Sequence, residues 1–247
     1  MKPLVSVIMP AFNAAHTICD SIDSVYNQSF NEWELIIVDD CSLDHTAELV
    51  SRYRDPRIRY FKTHQNSGVA AARNYAISKA NGRFIAFLDS DDLWAPNKLE
   101  RQYGFMTQHD YAFTYTWYWQ FKDHIENKIR LIKTKPTVDY YDLLYGNDIG
   151  CLTVMIDRDK INHIFMPSMR HEDYIAWLDI LKQGNIAYSL PEALSYYRTS
   201  DKSLSGDKRK SIQWTWNVYR CSQHFSILKS FYYLFFYAFK GLKKHYF

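Results

Sequence analysis

A chain of 247 residues is long enough for one sizeable α/β domain with an appendage and short for two catalytic domains. Hydrophobic residues at 47% and charged residues at 23% exclude a disordered or collagenous chain. The formal net charge of +3 is uneven, because residues 202–247 hold nine Lys or Arg against Asp207 alone, which leaves +8 in that tail and −5 elsewhere. Cys19, Cys41, Cys151 and Cys221 have no paired metal-ligand spacing, and no secretory leader is readable, so reduced thiols and a cytoplasmic site are expected. No apolar run reaches the roughly 18 residues of a membrane-spanning helix.

Along the chain, Val- and Ile-rich runs at 5–9, 35–38, 58–61 and 84–88 read as buried strands. Between them, 15–27, 44–53 and 69–80 read as helices. Ser42 is the capping candidate for the second, Asp55-Pro56 its stop, and Gly82 the closing residue of the third. That alternation predicts right-handed βαβ crossovers and a parallel sheet. Aromatic and β-branched residues at 111–119 and a charged segment at 128–133 predict further strands, and 174–183 predicts a short helix stopped by Gly184.

Ligands of open parallel sheets bind beyond the carboxyl ends of the strands. Three endings are polar: Pro10-Ala11-Phe12-Asn13, Asp39-Asp40-Cys41-Ser42 and Asp89-Ser90-Asp91-Asp92. Three carboxylates in four residues repel one another unless a positive charge joins them. A hard divalent cation, Mg²⁺ or Mn²⁺, would fit, the alternative being a loop in which Asp89 or Asp92 caps the next turn. Asn66-Ser67-Gly68 precedes the third helix, whose N-terminus can face a phosphate. Arg73, in that helix, either joins such a site or clamps the acidic strand ends, and the clamp is the favoured role.

These segments, taken with Phe87-Leu88 before the acidic run and Ala72-Arg73-Asn74, resemble the successive motifs of the family-two glycosyltransferases. Four motifs in order across residues 4–100 carry the resemblance, which continues more weakly to about residue 205. It implies the GT-A fold: a Rossmann-like nucleotide-binding half (1–100), a mixed central sheet, and an acceptor-binding half (101–206). It also implies an inverting transfer of one sugar from a nucleotide sugar, here a UDP sugar, to a glycan or an undecaprenyl-diphosphate-linked acceptor in bacterial surface polysaccharide synthesis.

By that resemblance, Asp39 or Asp40 holds the uracil, Asp89 lies by the ribose, and Asp91 ligates the metal. His171-Glu172-Asp173-Tyr174 with Trp177-Leu178 is similar to the acidic motif that carries the general base, matched here by Asp173. Arg198 in Tyr196-Tyr197-Arg198, followed by Ser203-Leu204-Ser205, resembles a closing segment that contacts the diphosphate. Pro10, Ala11, Asn13, Asn66, Gly68, Arg73 and Ser90 complete the implied donor site. Cys41 stands where the family often has a small residue, and Phe12 where Tyr is common. The Gln-X-X-Arg-Trp signature of processive members is not found.

The rival reading is a non-catalytic nucleotide-sugar or polysaccharide-binding module, which could dispense with Asp173. A glycoside hydrolase needs two carboxylates but no nucleotide site. The basic, aromatic segment at 207–247 raises nucleic acid as a partner, yet the catalytic half is acidic. Leu228, Phe231, Phe235, Phe239 and Leu242 recur at helical spacing with Lys229, Lys240, Lys243 and Lys244 nearby, which predicts docking on the inner face of an anionic membrane. The alternative is a helix packed on the catalytic domain or on a second copy in a homodimer.

Overall fold

The computed structural model describes residues 2–199 and 208–246. The chain forms β1 (Val5–Ala11), α1 (Ile18–Tyr26), β2 (Trp33–Asp39), α2 (Thr46–Ser51), β3 (Ile58–Lys62), α3 (Val69–Lys79) and β4 (Phe84–Phe87). There follow β5 (Leu93–Trp94), α4 (Lys98–His109), β6 (Phe113–Lys122), β7 (His124–Ile132), β8 (Thr137–Val138) and α5 (Tyr140–Leu144). β9 (Met155–Asp157), α6 (Glu172–Leu181), β10 (Ala187–Arg198), α7 (Lys208–Asn217) and α8 (Ile227–Tyr246) complete it.

Among the described residues the strands make one mixed sheet in the order β3-β2-β1-β4-β9-β6-β10-β5, with β7 on β6 and β8 on β10. β1 to β4 are mutually parallel, as their apolar runs predict, whereas β9 runs antiparallel to both β4 and β6. All seven residues of β1 and of β2 are buried, because helices cover both faces. One core lies under α3 and α6 (Phe87, Phe113, Trp177), and the other under α1 and α4 (Ile18, Trp33, Leu99).

Two local assignments change. Ser42 does not cap α2: its hydroxyl accepts from Asn13 N at 2.8 Å, while Asp44 accepts from Thr46 N at 3.0 Å just before the helix. Gly82 does not close α3, which ends at Lys79; a Cβ there would stand 2.7 Å from Ser6 N, so glycine lets β4 enter against β1. α4 adds a helix to the predicted elements; its Leu99, Tyr103 and Met106 recur at helical spacing and pack in the core under α1. The C-terminal helical appendage packs on the fold: Val218 and Tyr219 are fully buried in the core under α6, and Tyr219 donates to Leu144 O at 2.7 Å.

Candidate active site

The chain runs from β1 outward to β2 and β3, then returns to β4 on the other side of β1. A crevice opens where the order reverses. Pro10 marks it. β1 pairs with β4 only as far as Ile8↔Phe87 but with β2 as far as Ala11↔Asp39, so the missing N–H of proline falls beyond the end of β4. Asn13, in a left-handed conformation with φ 48°, binds the next strand end: its N donates to Ser42 Oγ and its Oδ1 accepts from Leu43 N at 2.9 Å.

Asp39 is buried, accepting from Tyr60 Oη at 2.5 Å and Ser42 N at 2.8 Å. Asp40, also buried, accepts from Ser67 N at 3.0 Å and Gly68 N at 2.6 Å. The N-terminus of α3, expected to face a phosphate, therefore faces the carboxylate of Asp40. Asn66 is exposed beside it. Cys41 takes a left-handed φ of 65°, the physical reason that a glycine suits this position.

The acidic run closes β4 as its sequence implies. Arg73, buried on α3, donates to Asp89 at 2.6 Å and to Glu172 at 2.7 Å, so the clamp is what this structure contains. It ties the end of β4 to the start of α6, reaching Glu172 from 99 positions earlier in the chain. Asp92 is buried, and its carboxyl is raised well above the usual range by burial and by Asp91 and Asp89. Asp91 points to the cleft with accessible surface; surrounding protein and the charge of Asp89 push it up to about 6. Ser90 fixes the turn through its carbonyl, which accepts from Thr17 Oγ1 at 2.8 Å.

Arg198, at the end of β10, reaches the same loop: its N donates to Asp92 Oδ1 at 2.8 Å, its Nε to Asp91 O at 2.8 Å, and its Nη2 to Asp20 at 3.0 Å. The Ser203 to Ser205 segment lies outside the described residues. Asp173 sits in the first turn of α6, where the helix dipole favours acids. Burial first and the charge of Glu172 second lift its carboxyl to about 6, with Arg73 opposing.

These groups share one cleft of about 520 Å³. Arg73, Asp89, Asp91, Asp92 and Arg198 line it together with Glu172 and Asp173, while Pro10, Asn13, Asp39, Asp40 and Asn66 lie outside its lining in the adjoining crevice. Residues that the sequence did not single out also line it: Tyr118 from β6, Asn147 and Asp148 after α5, Arg170 before α6, and Trp214 from α7. All but Tyr118 come from loops and a tail with no local signature. Only the aromatic richness of the tail hinted at Trp214.

Among the described residues no three His, Cys, Asp or Glu side chains gather as a ready-made cage for a metal. The donors nonetheless suit a hard divalent cation of the kind that takes one or two carboxylates and completes its shell with substrate phosphate and water. Asp91 offers such an oxygen at the open side of the acidic loop.

Residues 6–165 match the family model described as glycosyl transferase family 2. The chain is 42% identical over 245 residues to WfgD of Escherichia coli, a UDP-Glc:alpha-D-GlcNAc-diphosphoundecaprenol beta-1,3-glucosyltransferase, covering 98% of this chain and 95% of WfgD. Its fold is similar to that of S. aureus TarS (residues 1–349) in complex with UDP-GlcNAc, at TM-score 0.74 and 21% identity, covering 95% of this chain and 71% of the other. It is also similar to the mannosyltransferase PcManGT from Pyrobaculum calidifontis in complex with GDP-Man and Mn2+, at TM-score 0.71 and 19% identity, covering 95% and 70%. GT-A architecture is thereby shown.

Proposed function

This chain belongs to glycosyl transferase family 2 and is a glycosyltransferase of bacterial polysaccharide biosynthesis; we propose that it transfers one glucosyl unit, with inversion, from UDP-glucose to an N-acetylglucosamine carried on undecaprenyl diphosphate. The observation that carries this reading is the single cleft in which the acidic end of β4, from the first half of the chain, meets Asp173, from the second. The similarity to WfgD along nearly the whole of both chains supports the choice of donor and acceptor.

In this reading the acceptor sugar lies against α6 with its hydroxyl at the Asp173 carboxylate. Asp173 takes the hydroxyl proton as the oxygen attacks C1 of glucose, the bond from C1 to the diphosphate oxygen breaks, and UDP leaves. A single displacement turns an α-linked donor into a β-linked product. A carboxyl lifted to about 6 is mostly ionised at neutral pH and more basic than an ordinary aspartate, as the task requires. Asp91 would hold the Mg²⁺ or Mn²⁺, which when bound neutralises the leaving diphosphate. The uracil belongs in the crevice by Asp39 and Asp40: Asp39, held by Ser42 N and Tyr60 Oη, keeps acceptor capacity, whereas Asp40 already accepts from Ser67 N, Gly68 N and Thr63 Oγ1 and shapes the crevice. Arg73 and Arg198 act as struts that hold the acidic loop in place.

The apolar face of α8 supports a peripheral membrane location near such an acceptor. Leu228, Phe231, Phe235 and Phe239 are between 55% and 83% exposed, while Ser230 and Tyr233 pack inward. The side chains of Lys240, Leu242, Lys243 and Lys244 lie outside the described residues, but their sequence places four cations with Lys229 along this helix. No described helix is long and apolar enough to cross a membrane.

The test is release of UDP from UDP-glucose. Release should depend on an N-acetylglucosaminyl-diphosphate lipid, stop on chelation, and return with Mn²⁺ or Mg²⁺. Release that ignores every lipid-linked acceptor, or that runs fully in excess chelator, overturns the corresponding part.

A further inference from the structure

We propose that Arg170 and Trp214 form the subsite for the acceptor's lipid-linked diphosphate, an inference that rests on the acceptor reading above. Both side chains line the cleft. Arg170 stands two positions before α6 and three before Asp173, and its guanidinium carbon stands 5.4 Å over the ring of Trp214. Among the described residues Arg170 makes no ion pair, and it is exposed at the rim. Arg198, in contrast, spends its donors on Asp20, the Asp91 carbonyl and the Asp123 carbonyl.

The two arginines therefore differ in kind. One braces the donor loop, and the other is an uncommitted, planar cation that can bind phosphate oxygens through two parallel N–H donors. Its place is decided by chain geometry. His171, between it and the α6 acids, adopts a left-handed φ of 64°, a costly conformation for a non-glycine residue. That kink takes the chain abruptly from the rim to the helix start, so the cation stands outside and the base inside. An acceptor sugar with its hydroxyl at Asp173 extends its anomeric diphosphate away from the reacting centre, toward the rim.

Trp214 gives the rim a flat apolar face, and its ring also lies 5.6 Å from that of His171. The same helix carries Trp216, whose ring packs 4.7 Å from Phe231 on the exposed apolar face of α8.

The experiment compares two acceptors in the intact enzyme: N-acetylglucosaminyl-diphosphate on a polyprenyl-like lipid, and the alkyl glycoside of the same sugar. Wild type should prefer the diphosphate acceptor. Arg170→Gln should raise KM for it about tenfold, leave KM for the glycoside and for UDP-glucose unchanged, and so erase the preference; Arg170→Lys should restore part of it. Trp214→Phe, which keeps a ring, should retain more of the preference than Trp214→Ala. A wild-type preference that survives in Arg170→Gln overturns the subsite alone, as does a rise confined to KM for UDP-glucose. A wild type indifferent to the diphosphate overturns the acceptor reading and the subsite with it.

Discussion

Residues 1–100 and the rest of the chain build their share of the cleft by different means. In residues 1–100 the acidic groups sit at the ends of parallel strands, with Arg73 reaching them from within α3, so local sequence order is also spatial order. In the second half the lining comes from the start of α6, the end of β10, a loop after α5 and the tail helix α7, brought together over separations that no local pattern records. A parallel sheet with a crossover fixes where its strand ends must be, whereas a mixed sheet joined by loops leaves that to packing.

The sharpest test of this division is Asp173→Asn. The first half should still bind UDP, and transfer should fall by about 10²–10⁴-fold, the usual worth of a general base. Turnover within about tenfold of wild type would remove Asp173 from that role. In wild type, turnover should climb as pH rises through about 6, where Asp173 ionises. The same group has the opposite effect on the fold: a carboxyl raised from 3.8 to about 6 lends stability that is complete below the unfolded value and lost as pH rises through about 6. A flat rate profile between pH 5 and 7.5 would contradict the assignment.

Arg73 is the point at which the halves are tied, so Arg73→Met should cost about 3–5 kcal/mol by leaving Asp89 and Glu172 facing each other without their cation. The urea midpoint should fall with its slope unchanged. A midpoint within error of wild type would show that the halves hold together without the clamp.

A smaller effect is expected on the outer face of the tail. Phe231→Ser with Phe235→Ser, both on the exposed side of α8, should lower binding to anionic liposomes about tenfold or more while solution turnover on a short-chain acceptor stays the same. Unchanged co-sedimentation would point instead to a helix surface with another purpose. The smallest change belongs to the first half: Cys41→Gly should stabilise by about 0.5–1 kcal/mol, the relief of a left-handed residue less the extra flexibility of glycine. A loss of stability would mean that the Sγ contact with His64 O outweighs it.

Particular elements show how far the sequence could be read. The four parallel strands begin and end within two residues of their apolar runs; β1, β2 and β4 are buried along their length, while β3, half-buried at the sheet edge, is marked by Ile58, Tyr60 and Phe61. α4 was hidden because Lys98 and Gln102, both fully buried, put polar residues on its inward side, and Gly104 interrupts the helix-formers. β10 was hidden by Pro191, which argues against a central strand; the register against β6 shifts between Leu190 and Ala193, so the proline sits in an irregularity. In the cleft, Asp89, Asp91 and Asp92 were legible as the acidic ending of a strand. Asp173 needed the family resemblance, and Arg170 and Trp214 needed the fold, since nothing local marks an exposed arginine or a tail tryptophan as neighbours.

Whether the two halves act together as an inverting catalyst is tested most directly by the anomeric configuration of the product. With α-linked UDP-glucose, an N-acetylglucosaminyl-diphosphate lipid and Mn²⁺, proton NMR of the new glycosidic bond should show only the β-linkage, formed at the rate at which UDP appears. An α-linked product, or UDP released with no new glycoside, would contradict a single displacement with Asp173 as its base.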